Sequence, residues 1–182
     1  MVDIYKIKFT QLQQEILRFL LMKAGKCFNA LGLAKPLNVS QTAISKALPL
    51  LEKEGLIKLE KDRASGRWSI ALNRDSKTVL RMKRVENLKL IYESGIVDFL
   101  EKEFAGATIV LFGSYSMGED AADSDLDIAI IGRREKKIYL DEFEKKLERE
   151  IFINFYPSFI EIHKNLRENI FNGIVLVGGV RL

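Results

Sequence analysis

Apolar side chains fall at Leu12, Ile16, Leu17, Phe19, Leu20 and Leu21. That spacing predicts a helix over residues 10–23 with one broad buried face. Gly25 lies just past its end, where a left-handed cap suits glycine. A short second helix is predicted at about 29–35, stopped by Pro36 and Asn38. Ser40 is placed to cap a third helix, 41–53, whose inward face is Ile44, Ala47, Leu48 and Leu51. Gly55 closes it. Pro49 lies inside it, removes one backbone hydrogen bond, and is expected to bend the axis. Leu56–Leu59 and Arg67–Leu72 read as two strands joined by the charged tip 60–66, a β-hairpin.

From Asp75 to Phe104 the period is helical again, through Val79, Met82, Val85, Leu88, Ile91 and Tyr92, then Ile96, Phe99 and Leu100. Ser94-Gly95 is a candidate break. This stretch is expected to link two domains and to pack on both. Beyond Gly106 the pattern alternates between element types. Strands are predicted at 108–112, 126–131 and 151–156. Helices are predicted at 139–150, with Leu140, Phe143 and Leu147 inward, and at about 159–172, ended by Gly173. A mixed α/β unit results.

The longest apolar runs, Ile16–Met22 with Arg18 inside it and Ile174–Val177, fall far short of the ~20 residues that span a bilayer. Residues 1–8 hold no apolar signal core. The expectation is a cytoplasmic protein with no membrane partner. The 182 residues suit two domains, and 47% hydrophobic with 30% charged residues excludes wholesale disorder. One cysteine, Cys27, excludes an internal disulfide and reads as a buried structural thiol. One histidine, His163, excludes a His-rich metal site. Residues 1–80 carry 14 Lys and Arg against 7 Asp and Glu, a balance of 14 − 7 = +7; residues 81–182 carry 15 against 18, a balance of 15 − 18 = −3. The basic excess therefore sits in the first half, which points to a polyanion partner there.

The order helix, short helix, capped helix, hairpin over about residues 5–73, with Leu-Glu-Lys-Glu-Gly-Leu-Ile at 51–57, resembles a winged helix-turn-helix. The resemblance implies double-stranded DNA as partner. Gln41, Thr42, Ser45 and Lys46 lie off the apolar face of the third helix and are candidates for base or phosphate contact in a major groove. Lys61, Arg63 and Arg67 on the wing are candidates for backbone or minor-groove contact. Trp68 is read as a packing residue, the usual role of a hairpin tryptophan. An ordinary polar surface or a protein-docking module is the competing reading.

The second informative stretch is Leu111-Phe112-Gly113-Ser114, ten residues, then Asp125-Leu126-Asp127-Ile128. Glycine and serine where a strand enters a helix bring bare backbone N–H groups up to a phosphate. Aspartates at i and i+2 on a strand share a face. Two adjacent carboxylates repel unless a cation lies between them, and Mg²⁺ prefers such hard oxygen ligands. A phosphate cradle with paired carboxylates is what metal-assisted attack on an α-phosphate needs. Otherwise Asp120, Asp123, Asp125 and Asp127 are solubilising residues on a surface loop.

This stretch resembles the nucleotidyltransferase fold of the DNA polymerase β superfamily, and looks most like its minimal bacterial and archaeal members. The similarity spans about 105–182 and includes Gly-Ser-Tyr-Ser-Met-Gly and Ser124 before Asp125. It implies that Gly113 and Ser114 hold a nucleoside triphosphate, ATP being the expected one, and that Asp125 and Asp127 are catalytic ligands of Mg²⁺. Two departures stand out. The third acidic position of the family aligns with Asn154, and an amide is no base and offsets no metal charge. Met117 stands where minimal members often carry arginine. Glu161 is the nearest acid downstream, read as a first-turn charge on the last helix.

The expected fold class is α+β: a winged helix-turn-helix over 1–74, a helical linker over 75–104, and a nucleotidyltransferase-like α/β domain with a mixed sheet over 105–182. The leading expectation is a DNA-binding transcriptional regulator whose second domain binds triphosphate and Mg²⁺. The alternatives are an active nucleotidyltransferase acting on a protein or nucleic acid, and a docking protein with both activities lost. A homodimer or a protein partner is compatible with all three.

Overall fold

Thr10 and Gln13 start the first helix, α1 (Gln11–Met22), with a reciprocal capping box: Thr10 Oγ1 accepts from the Gln13 N–H at 3.3 Å, and Gln13 Oε1 accepts from the Thr10 N–H at 3.0 Å. The same glutamine is buried, and its Nε2 donates to the Ala47 carbonyl at 3.1 Å. That bond ties α1 to α3 (Gln41–Lys53). Between them lie β1 (Cys27–Phe28) and α2 (Ala30–Ala34), the latter capped by Asn29, whose Oδ1 accepts from the Gly32 N–H at 2.8 Å. Ser40 caps α3 through the Ala43 N–H at 3.1 Å, as its side chain predicts. The hairpin strands are β2 (Ile57–Lys61) and β3 (Trp68–Leu72).

The computed structural model describes residues 8–61, 66 and 68–180. It divides into two units, Met1–Leu80 and Arg81–Leu182. In the first unit the antiparallel sheet runs β1-β3-β2, with Leu59 opposite Ile70 and Lys61 opposite Trp68. Ile16, Leu20, Leu33, Ile44, Leu51 and Ile70 are wholly excluded from solvent and form its centre. Two helices, a capped third helix and a hairpin closed by a short third strand make a winged helix-turn-helix.

Two local expectations, those for Cys27 and Trp68, change in this unit. Residues 27 and 28 form an unanticipated edge strand. Cys27 is exposed rather than buried, because alternation sends Phe28 inward, where it packs edge-on against Phe19 at 5.1 Å between ring centroids. Trp68 is 53% exposed, so packing does not absorb it. Pro49 sits within a continuous helix on its exposed side.

The second unit begins inside α4 (Lys77–Ser94), which is followed by α5 (Ile96–Glu103). Its sheet consists of β4 (Thr108–Phe112), β5 (Leu126–Ile131), β6 (Ile151–Tyr156) and β7 (Ile174–Val177), in the order β6-β5-β4-β7. β5 and β6 are parallel and the other pairs antiparallel, so the sheet is mixed, as expected. Ile109, Leu111, Ile128 and Ile130 face one core with Ile96 and Leu100 of α5. Val110, Phe112, Ala129 and Ile131 face another with Phe159, Ile162 and Ile170. The remaining helices are α6 (Gly113–Met117), α7 (Asp141–Leu147) and α8 (Lys164–Phe171).

Tertiary demands shorten two predicted helices. α7 stops at Glu148, which takes a left-handed conformation (φ 53°) just before the buried Arg149. The final helix starts only at Lys164, because the preceding turns send both Phe159 and Ile162 into the core. Glu161 therefore lies in that turn, paired with Ser158 Oγ at 3.1 Å, and not in a helical first turn. β7, an apolar run of four residues, was not anticipated as a strand; pairing with β4 defines it. Among the described residues no helix is long and apolar enough to cross a membrane.

Candidate functional site

β4 ends at Phe112, directly opposite Asp127 on β5. The chain then turns at Gly113, with φ of 73°, into α6. A Cβ at Gly113 would lie 2.6 Å from Asp127 Oδ2. The Asp127 carboxylate thus rests against the bare backbone of the glycine. Glycine is needed twice here, for the left-handed turn and for the close approach. Ser114 follows, exposed at the start of α6, and Ser116 Oγ braces the turn by donating to the Gly113 carbonyl at 2.8 Å. The Gly-Ser bend and the second aspartate meet at one end of the sheet.

Asp125 is exposed, one residue before β5, while Asp127 is partly buried on the strand. Burial first, and the charge of Asp125 second, push the Asp127 carboxyl above the ordinary range. Asp125 therefore acts on Asp127 electrostatically, the situation a bound cation relieves. Asp123 is exposed, while Asp120 is buried.

β6 supplies the neighbours on the other side. Phe152 is directly opposite Asp127, and Asn154 is opposite Ala129, one pleat further along the same face. Asn154 is partly buried. The Tyr156 phenol, next on that face, is raised above its ordinary value by burial and then by the charge of Asp127. Among the described residues, no group of three or more His, Cys, Asp or Glu side chains is placed to hold a metal. The donor set present is thus two carboxylates with a neutral amide and a phenol nearby. Two hard oxygen donors beside the bare glycine backbone suit a hard divalent cation such as Mg²⁺. They do not supply three carboxylates.

A second set of residues supports this site. The Asp120 side chain is completely buried. Its carboxylate accepts from Arg149 Nη2 at 2.9 Å and Asn87 Nδ2 at 2.7 Å, and pairs with Lys83 Nζ at 2.9 Å. Asn87 Nδ2 also donates to the Tyr115 carbonyl in α6 at 2.8 Å. Arg149 Nη1 donates to the carbonyls of Ala121 and Ser124, the latter at 2.9 Å. Ser124 is the residue before Asp125. The cluster therefore fixes both ends of the excursion between the glycine turn and the aspartate pair. Its only sequence signal is Lys83 and Asn87 at i and i+4 on the inward stripe between Val79 and Ile91. That stripe turns Val85 and Tyr92, read as inward by periodicity, out to 69% and 51% exposure.

In the first unit, Gln41, Thr42, Ser45 and Lys46 are all exposed on α3, and Lys61 is exposed at the end of β2. Ser45 Oγ donates to the Gln41 carbonyl at 3.0 Å. Arg63 and Arg67 lie outside the described residues. Gln41 and Ser45 also border an apolar cavity walled by α2, α3 and the hairpin.

Residues 93–177 match the family model for the nucleotidyltransferase domain. No curated protein matches the chain. Among solved structures, the adhesin competence repressor AdcR of Streptococcus pyogenes is similar at 23% identity and a TM-score of 0.41, over 54% of this chain and 69% of that one. HlyU of Vibrio cholerae is similar at 20% identity and a TM-score of 0.34, over 53% and 79%. MepR of S. aureus, solved as a complex with DNA, is similar at 20% identity and a TM-score of 0.39, over 52% and 77%. Likeness at this level carries no information about function, and the winged-helix assignment stands on the element order and sheet register of the unit itself. Residues 93–177 of this chain are a nucleotidyltransferase domain, carried behind a winged helix-turn-helix unit.

Proposed function

We propose that this is a DNA-binding regulatory protein whose second domain binds a nucleoside triphosphate together with Mg²⁺. The observation that carries the ligand half is the contact between Gly113 and Asp127. It puts bare glycine backbone, a carboxylate and, through Asp125, a second charge at one spot. In this reading Gly113 and Ser114 cradle the phosphates, and Asp125 and Asp127 hold the cation. When bound, Mg²⁺ would neutralise phosphate charge and orient the polyphosphate. The chain's own part is to present two carboxylates on a braced turn, with the Asp120 cluster holding the backbone before Asp125. ATP is the first nucleotide to test.

The DNA half is supported by the exposed polar face of α3, by Lys61, and by the +7 balance of residues 1–80. In this reading Gln41, Thr42, Ser45 and Lys46 meet a major groove, and Lys61, with Arg63 and Arg67, meets the backbone.

A calorimetric titration of the full chain with ATP, with and without Mg²⁺, tests the first half. Binding that needs Mg²⁺ and is lost in Asp127→Ala is the expected result. Equal behaviour with and without the cation removes it. A second reading, transfer of the nucleotidyl group to an acceptor, is favoured by the family match over residues 93–177 and opposed by Asn154 at the third acidic position. Incubation with α-labelled triphosphate separates the two. Label transfer abolished by Asp125→Ala supports the enzyme.

A further inference from the structure

The first unit holds a cavity of about 580 Å³ between α2, α3 and the hairpin. Leu31, Leu48, Pro49, Leu59 and Trp68 supply apolar walls, and Gln41 lies at the edge. Two of those walls are incompletely covered: Trp68 is 53% and Leu31 is 44% exposed. A tryptophan is the largest apolar group a fold can bury. An open tryptophan beside an exposed leucine, both lining one concavity, offers an apolar surface to a ligand.

The surroundings specify the ligand's chemistry. Directly opposite residues of an antiparallel pair share a face, and Lys61 is directly opposite Trp68. An ammonium group therefore accompanies the indole. Lys46 lies next to Ser45 on the exposed side of α3, and the unit as a whole carries the +7 balance. The ligand should thus be flat and apolar on its faces, polar on its edge, and attached to negative charge. Gln41 offers one amide donor and one acceptor to such an edge. A base within a duplex shows only its edges to the groove. A slot with an aromatic wall receives a face.

We propose that the cavity between α3 and the hairpin binds an unpaired nucleobase, stacked on Trp68, with Lys61 beside the attached phosphate. The inference rests on the reading of this unit as a nucleic-acid-binding one, and deepens it. The base can come from a single-stranded or frayed strand, or from a free nucleotide.

Trp68 is the only tryptophan, so its emission reports on this cavity. The full chain is titrated with oligothymidylate, with a fully paired duplex, and with thymidine monophosphate. Quenching by the oligonucleotide is expected, and quenching by the monophosphate as well would identify free nucleotide as a sufficient source. Fluorescence anisotropy of labelled strands then compares variants. Trp68→Ala should weaken single-strand binding by about 5- to 150-fold, the range for loss of one stacked base, and leave duplex affinity within about twofold. Leu31→Phe, which narrows the slot at an exposed position, should weaken single-strand binding too and guards against misfolding of the first variant. Salt-sensitive duplex binding, with no quenching by unpaired strands and no effect of either variant on them, overturns the cavity assignment and leaves the DNA-binding reading standing. Absence of binding to both duplex and single strand at low salt removes both.

Discussion

Asp127 Oδ2 lies 2.6 Å from the point where Gly113 would carry a Cβ. That contact locks the sequence spacing into a site. The glycine turn cannot accept a side chain without displacing the carboxylate across from it, and the φ of 73° separately penalises any other residue. Gly113→Ala should therefore destabilise the second unit by at least the left-handed backbone cost of about 1–2 kcal/mol. It should also abolish Mg²⁺-dependent nucleotide binding. Thermal unfolding and calorimetry measure the two effects, and a variant that binds normally would show that the close approach is not used.

The buried cluster around Asp120 predicts a larger loss of stability. Lys83, Asn87 and Arg149 all converge on that one carboxylate. Removing it leaves buried cations without their shared partner, an effect of about 3–5 kcal/mol for such pairs. Asp120→Ala should lower the unfolding midpoint in urea of the second unit and loosen the chain around Ser124, seen as faster hydrogen exchange. A midpoint unchanged from the parent would mean that the cluster does not hold the excursion in place.

Asp127 sets a pH dependence whose sign is fixed by its raised carboxyl value. The folded state keeps a proton on Asp127 at pH values where an unfolded aspartate has lost it. Stability from this group is therefore fully present below the ordinary carboxylate value and is lost as pH rises through the raised one. A cation binds the ionised form and opposes that fall. Mn²⁺ affinity should accordingly rise with pH through a midpoint above that of a free aspartate. Asp125→Asn removes one of the two causes and should move the Asp127 midpoint down, as followed by carboxyl NMR shifts. A midpoint that stays put would mean burial alone sets it.

Asn154 offers a gain-of-charge test. It shares the Asp127 face one pleat along β6. Asn154→Asp should tighten Mn²⁺ binding and, without metal, push Asp127 further up by repulsion. No change in either quantity would place Asn154 outside the reach of the site.

On the other unit, each phosphate contact should contribute to the salt dependence of DNA binding. Lys46→Ala and Lys61→Ala are each expected to reduce the slope of log affinity against log salt by about one. Gln41→Ala, by contrast, should relax sequence preference. Slopes identical to the parent would exclude those lysines from the backbone.

Local chemistry alone was enough to read most of the architecture. The Ser40 cap and the inward stripe of Ile44, Leu48 and Leu51 specify α3 because capping and helical period act within a few residues. The alternation around Asp127, and the glycine at the end of β4, mark the strand ends for the same reason. What needed tertiary structure was every feature set by residues far apart in the chain. Asp120 looked like one of four acids on a loop; Lys83 and Arg149, 37 positions before it and 29 after, make it the buried anchor. Glu148 ended α7 early because Arg149 has to reach that anchor. Val85 and Tyr92 fit a helical period, yet α4 is rotated by what its other face binds. Trp68 belongs to a strand by sequence, but its open flank depends on how α2 and α3 pack against the hairpin. Periodicity carries information about which residues share a face; which face is covered, and by what, is decided by long-range packing and buried charge.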